Sequence, residues 1–323
     1  MPKVSVLVPV FGVEKYIEKC IRSLMTQTLD DIEFVIVNDC TKDKSMEILF
    51  DVISEYPQLK ENIKILNNEQ NKGLAYTRSI SIKAASGDYV IYCDSDDWVE
   101  PDFCECLYKK ALEEDADIVA CNYFESLNGN QEQTIKHTYL TQNPRQAIRD
   151  IYKNPLPTFG WMHLIKRDLF VDNNILPFVG INSGEDLNVI FRIMFFAKKM
   201  VHVEKPLYHY QRRSGSLSLT SDYMNLWNKY LKKNINGLEQ FVSEHNAEEE
   251  FKTTINYLKF QKKMFLLAGD KPELKLWWES WPESNEDIYK FTSYPQRTRR
   301  IYKLCSKSYI FLLLYFKVIR KFI

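Results

Sequence analysis

Between Val4 and Asn122, strand-length apolar runs alternate with amphipathic stretches, and this alternation constrains the fold more than any other feature of the chain. The runs Val4–Val8, Glu33–Asn38, Ile63–Asn67, Tyr89–Cys93 and Ile118–Asn122 read as strands. Helices are predicted between them at Val13–Gln27, Lys44–Tyr56, Gly73–Ala85 and Asp102–Asp115. Strand–helix alternation of this kind predicts an α/β fold: a mostly parallel sheet flanked by helices. Open sheets of that class bind ligands at the carboxyl edge of their strands, so the residues that end each strand are the ones to inspect.

The fourth strand runs directly into Asp94-Ser95-Asp96-Asp97-Trp98, three carboxylates within four residues. Carboxylates this close repel one another unless a cation shares them, and hard oxygen ligands suit Mg²⁺ or Mn²⁺. The first strand ends at Val8-Pro9-Val10-Phe11 and the second at Val37-Asn38-Asp39. A carboxylate such as Asp39 can accept a hydrogen bond from a nucleobase N–H, and an aromatic such as Phe11 can stack on the base. After the third strand, Asn71-Lys72-Gly73 leads into a helix N-terminus, which favours an anionic group. A nucleoside pocket, a phosphate-friendly turn and a metal-binding acidic turn together describe a nucleotide-diphosphate site.

Charge and cysteine usage narrow the class. Lys plus Arg and Asp plus Glu number 43 each, so no global charge recruits nucleic acid. From Phe291 onward there are eight basic residues and no acidic one, which leaves the rest of the chain acidic. Within that tail, Tyr309–Phe316 is apolar and flanked by Lys307 and Lys317. It is far short of the ~20 residues that cross a bilayer. It reads either as an interfacial helix lying on an anionic membrane or as a helix docked on its own domain, and the uniformly positive flanks favour the membrane. The seven scattered cysteines read as reduced thiols of a cytoplasmic protein. Met1-Pro2-Lys3 leads straight into a strand, so no leader is expected. The alternation loosens after Asn122, and residues beyond Ser221 read as helices. The expected organisation is one α/β domain over residues 1–215 and a helical C-terminal region over 216–323.

Taken together, Val4–Phe11, Asn38-Asp39, Asn71-x-Gly73-x-Ala75-x-x-Arg78, Asp94-Ser95-Asp96-Asp97-Trp98 and Ser183-Gly184-Glu185-Asp186-Leu187 resemble the family 2 glycosyltransferases of the GT-A, Rossmann-like fold. The resemblance covers about two-thirds of the chain. It implies inverting transfer of a hexose or N-acetylhexosamine from a nucleotide-sugar, with a UDP-sugar expected, to a glycan or lipid-linked glycan of a surface polysaccharide. A divalent metal, Mn²⁺ or Mg²⁺, and a place on the inner face of the cell membrane are implied with it.

Site roles carry over residue by residue. Asp39 resembles the residue that reads the base, with Pro9, Phe11 and Glu14 on the nucleoside side and Lys72, Gly73, Arg78 and Ser95 in the donor motifs. Asp96 is assigned direct metal contact, and Asp94 a ribose or metal-shell role. Asp97 reads as a helix cap or a support for that turn. Asp186 matches the family's general base, with Glu185 beside it; alone, the pair would read as ordinary first-turn acids of a helix. His209 reads as a metal ligand or a structural donor, Trp161 as a sugar-stacking or a core aromatic, and Arg212 or Arg213 as a diphosphate clamp. Cys40 stands where the family usually has Gly, so the turn after Asp39 must avoid positive φ or tolerate strain. The alternative function is a nucleotide- or glycan-binding module of the same fold without turnover. A dinucleotide oxidoreductase is excluded, because Gly12 stands alone where Gly-x-Gly-x-x-Gly would be needed.

Overall fold

The computed structural model describes residues 1–127, 132–212, 223–267 and 272–317. Among the described residues nine strands form one sheet: β1 (Val4–Val10), β2 (Ile32–Asn38), β3 (Ile63–Asn67), β4 (Tyr89–Tyr92), β5 (Trp98–Val99), β6 (Ile118–Leu127), β7 (Gln133–Ile135), β8 (His163–Lys166) and β9 (Met200–Arg212). Their spatial order is β3-β2-β1-β4-β8-β6-β9-β5, with β7 on β6. β1 is buried along its length because parallel neighbours flank it on both edges and helices cover its faces. Following the pairings across the sheet, β1, β2, β3, β4, β6 and β9 point one way and β5, β7 and β8 oppose them.

Helices α1 (Ile17–Met25), α2 (Ser45–Ser54), α3 (Leu74–Ala84) and α4 (Phe103–Glu114) follow the first strands as the alternation predicts. They are succeeded by α5 (Pro144–Arg149), α6 (Arg167–Asp172) and α7 (Glu185–Phe196). The α7 helix is apolar on nearly every side and correspondingly buried from Leu187 to Phe195.

Three local departures from the sequence reading have physical causes. α1 starts four residues later than expected, after a loop segment whose Gly12, Val13 and Glu14 amides bond Thr41 Oγ1, Ser45 Oγ and Asp43 Oδ2 of the neighbouring loop. β8 was not expected at all; four residues carry too little periodicity to register, and the strand exists because it pairs antiparallel with both β4 and β6. β9 is one strand over Met200–Arg212, in a stretch where the alternation in the sequence has loosened. Its register shifts against β6 on either side of Asn122, so Glu204 and Lys205 bulge out and Pro206 needs no ladder N–H.

The chain divides into two units, residues 1–145 with 157–219, and residues 146–156 with 220–323. The second unit holds α8 (Tyr223–Leu226), α9 (Lys232–Glu244), α10 (Glu248–Lys263), α11 (Leu274–Glu279), α12 (Gln296–Lys307) and α13 (Tyr309–Lys317). Its core gathers Phe251, Phe260, Trp277 and Phe291. In α13, Leu312 is buried while Ile310 and Leu314 are exposed. Among the described residues no helix is long and apolar enough to cross a membrane.

Candidate active site

Parallel pairing brings the ends of β1, β2 and β4 to one edge of the sheet. Asp39, just past β2, is buried, and its carboxylate organises the turn that follows β3. Oδ1 accepts from Asn68 Nδ2 at 2.7 Å and from the Lys72 amide at 2.8 Å, and Oδ2 accepts from the Gly73 amide at 2.8 Å. Three of about four acceptor positions on the carboxylate are thereby used. Gly73 has φ +86°, and a Cβ there would lie 2.2 Å from Asn182 Nδ2. Asn182 in turn accepts from the Ala75 amide, so the 71–75 turn is clamped from the segment that leads into α7. Cys40 adopts φ +58°; the turn tolerates strain where glycine would have none. Pro9 is buried within β1, and Phe11 stands 51% exposed beside it. Glu14 accepts from the Lys44 amide, and Lys72 extends its ammonium over the Tyr76 ring.

The acidic turn after β4 divides its carboxylates. Asp97 points inward and is fully buried, accepting from the Tyr208 hydroxyl and the Gln211 amide, both at 2.7 Å. Burial, reinforced by the Asp96 and Asp94 charges, pushes its carboxyl well above the ordinary range. It therefore caps no helix; it ties the turn to β9. Ser95 is buried with it. Asp96 faces a cleft of about 350 Å³, lined also by Lys15, Lys19, Trp98 and Gln211. The Lys19 ammonium lies 3.0 Å from the centre of the Trp98 ring. Lys15 and Lys19 escape a sequence reading because spaced lysines on a helix look like an ordinary solvated face.

Arg78 is the hub of the site. It is 2% exposed, and its guanidinium forks to three carboxylates: Nη2 to Asp94 Oδ1 at 2.8 Å, and Nη1 to Glu185 Oε1 at 2.8 Å and to Asp186 Oδ1 at 2.5 Å. Its Cζ lies 4.8 Å from the Tyr92 ring centre. Burial would strip its proton, but Asp186, Asp94 and Glu185 outweigh burial and hold it charged. Burial likewise raises the Glu185 and Asp186 carboxyls, with Arg78 opposing. Glu185 is buried, whereas the Asp186 side chain keeps 22% of its surface open. Gly160 closes the other side: a Cβ there would lie 2.9 Å from Asp186 Oδ1 and 2.7 Å from Tyr92 Cδ2. The glycine is what allows the chain to pass so near the carboxylate.

For a divalent metal, the candidate donors are the carboxylates of Asp94 and Asp96. Among the described residues no group of three or more His, Cys, Asp or Glu side chains is arranged to hold an ion. Two carboxylates completed by substrate phosphates nevertheless match the way Mg²⁺ is usually held on nucleotides. The donor chemistry of this turn therefore fits a metal that arrives with a diphosphate.

Three other sequence assignments fare differently. Both ring nitrogens of His209 are engaged, Nε2 with Glu100 at 2.7 Å and Nδ1 with Glu132 at 3.0 Å, and its ring is stacked between Trp98 and Phe124. In this arrangement both nitrogens serve carboxylates, the structural-donor role of the two that the sequence leaves open. Trp161 is 2% exposed, stacked on Tyr208 at 4.3 Å and on Phe159 at 5.1 Å, and it offers no face to a sugar. Arg212, at the end of β9, lies 3.8 Å from Glu125, and Arg213 falls outside the described residues.

The family model described as glycosyl transferase family 2 matches residues 5–172. EpsH of Bacillus subtilis is 34% identical over 263 residues, covering 79% of this chain and 73% of that protein. The glycosyltransferase GlyA of Streptococcus pneumoniae is 36% identical over 228 residues, covering 67% of this chain but only 31% of its own length. Among solved structures, residues 1–349 of Staphylococcus aureus TarS in complex with UDP-GlcNAc superpose with a TM-score of 0.70 at 19% identity, covering 94% of this chain and 87% of that one.

Proposed function

The chain belongs to glycosyltransferase family 2, and from that premise we propose that it is a metal-dependent inverting enzyme that transfers a hexose or N-acetylhexosamine from a UDP-sugar to a glycan or lipid-linked glycan acceptor. The observation that carries this reading is the Arg78 fork. One guanidinium joins Asp94 of the acidic turn to Asp186 at the start of α7. On this reading the leaving-group side and the acceptor side of the transfer site lie within reach of a single side chain.

In this reading Phe11 stacks on the base, and the remaining acceptor capacity of Asp39 takes the base N–H. The turn at Lys72 and Gly73, held by Asp39, lies beside the nucleotide. Asp96 and Asp94 would hold Mn²⁺ or Mg²⁺, which offsets the charge that builds on a departing diphosphate. Asp186 accepts the proton of the acceptor hydroxyl as that oxygen bonds to the anomeric carbon. The bond from the anomeric carbon to the diphosphate breaks on the opposite face, and the configuration inverts. Glu185, buried behind Asp186, shares Arg78 and fixes its orientation. Arg212 and Arg213 belong to the segment that would clamp the diphosphate. TarS was solved with UDP-GlcNAc, which supports a uridine nucleotide here.

Assembly of a surface polysaccharide on a lipid carrier gives the second unit a role. The exposed Ile310 and Leu314 of α13, with the exposed Arg297, Arg300, Lys307 and Lys317, would offer apolar and basic groups to the anionic inner face of the cell membrane.

The test is a thermal-shift series with UDP, GDP, TDP and CMP, each with and without Mn²⁺. A ligand that binds only the native state raises the unfolding midpoint. Stabilisation by UDP that requires Mn²⁺ and is lost in Asp96→Ala is the expected outcome. The absence of a metal-dependent shift with every nucleotide would overturn the donor assignment.

A further inference from the structure

The aromatic stack beside Asp186 is graded in exposure. Tyr208 is fully buried, Trp161 is 2% exposed and Phe159 is 37% exposed. Trp161 and Phe159 are nearly parallel, at 7° and 5.1 Å, and Tyr210 lies 6.2 Å from Phe159 at 28°. Trp161 and Tyr210 are themselves 5.4 Å apart. Two rings stacked on opposite faces of a third would be separated by at least about 7 Å, twice the van der Waals contact distance. Both therefore lie on the same side of Phe159. Tyr123, 6.4 Å from Phe159 at 84°, is 4.9 Å from Trp161 and so belongs to the same side, and among the described residues no other ring meets Phe159.

Position and rigidity add to this. Phe159 immediately precedes Gly160, whose Cβ direction points at Asp186 Oδ1 from 2.9 Å. Consecutive Cα atoms are about 3.8 Å apart, so the Phe159 backbone lies one peptide from the residue that abuts the carboxylate. The Phe159 carbonyl accepts from the His163 ring at 2.7 Å, and Trp161 supports its covered face, so the ring is held in place before anything binds. At the other end of the stack the Tyr208 hydroxyl bonds Asp97 in the acidic turn, so the platform and the turn share one rigid support.

We propose that Phe159 is the stacking platform for the acceptor sugar, which lays an apolar pyranose face on the open ring with one hydroxyl directed at Asp186. This rests on the transfer reading above and adds to it the acceptor contact. The axial C–H groups of an equatorially substituted pyranose are weakly positive and match the negative face of an aromatic ring. A phenyl ring has no polar atom to satisfy, so it selects a flat C–H face rather than a hydroxyl pattern. The class favoured is a β-linked gluco-configured residue, whose faces carry only axial hydrogens.

The experiment is saturation-transfer NMR on the full chain with methyl β-D-glucopyranoside, methyl N-acetyl-β-D-glucosaminide and methyl β-D-galactopyranoside as probes. The expected result is saturation of the axial ring protons of at least one gluco-configured probe. It should fall about fivefold in Phe159→Ala and persist in Phe159→Tyr. If the alanine variant does not fold, Phe159→Leu replaces it, since leucine keeps apolar bulk without a π face, and the same loss is expected. No saturation of any probe by the wild-type chain, or equal saturation in wild type and variant, would overturn the proposal. The UDP and Mn²⁺ thermal shift on the wild-type chain tests the donor reading separately, so either can fail while the other stands.

Discussion

Arg78 binds Asp186 through Nη1, 2.5 Å from Oδ1, with the guanidinium buried and its other arm on Asp94. Three carboxylates in one pocket would repel one another strongly without this cation. Lysine is no substitute, because one ammonium has neither the fork nor the span to serve all three. Arg78→Lys is expected to cost about 3 kcal/mol of folding stability, as a buried charge network left partly unpaired does. Denaturant titration measures that loss. Unchanged stability would mean that the carboxylates are solvated without Arg78.

Asp186→Asn separates binding from chemistry. The amide keeps the shape of the carboxylate but cannot take a proton from an acceptor hydroxyl. Transfer is expected to fall by about 10³-fold while the UDP-induced thermal shift is retained. The pH dependence follows from the environment: burial holds the Asp186 carboxyl above its ordinary value, with Arg78 opposing. Wild-type transfer should therefore decline as pH falls through that raised value, and the residual activity of Asp186→Asn should lack this decline. A variant as active as wild type would remove Asp186 from the chemistry.

Gly160→Ala probes the close approach of the chain to Asp186. The new methyl would sit 2.9 Å from Asp186 Oδ1 and 2.7 Å from Tyr92 Cδ2. Neither neighbour has room to yield, since Tyr92 is buried under Arg78. The overpacking should cost about 1–3 kcal/mol and slow transfer more than it weakens UDP binding. Parallel equilibrium unfolding and kinetic assays of one variant read both effects. A fully active, equally stable variant would show that the approach is looser than these distances.

What was legible in the sequence follows from where each signal resides. Asp39, Asp94 and Asp96 end strands, and strand ends can be read from apolar runs; Asp186 opens a helix whose apolar pattern is plain. The coupling of Arg78 to Asp94, Glu185 and Asp186 was not legible, because only the tertiary fold brings residue 78 to residues 94 and 186. Trp161 and Phe159 look equivalent in a string. Stacking of Trp161 on Tyr208 buries it, while Phe159 stays 37% exposed. His209 resembled a ligand by its place in a motif, and Glu100 and Glu132 took its nitrogens instead.

Cys40→Gly should stabilise the protein. A non-glycine residue at φ +58° carries about 1–2 kcal/mol of left-handed strain, which glycine removes. Glycine loses more chain entropy on folding, roughly 0.5–1 kcal/mol, so the net gain is at most about 1.5 kcal/mol. Cys40→Ala keeps the strain and should gain nothing, which makes the pair a control for loss of the thiol. Equal shifts in the unfolding midpoints of the two variants would assign the effect to the thiol rather than the backbone.

His163 should make the protein acid-sensitive. The ring is fully buried, bonded to the Phe159 carbonyl and the Tyr139 hydroxyl. Burial, with His202 and His137 contributing in the same direction against the Phe159 bond, lowers its pKa to about 4. The unfolded chain has an ordinary histidine near 6.5, so between about pH 4 and 6.5 the unfolded state binds the extra proton. Stability from the neutral ring is thus complete above about pH 6.5 and lost as pH falls towards 4, a change of about 3 kcal/mol. Denaturant titrations across this window measure the slope. In His163→Gln, which cannot titrate, the slope should flatten even though absolute stability is lower; an unchanged slope would place the acid sensitivity in another group.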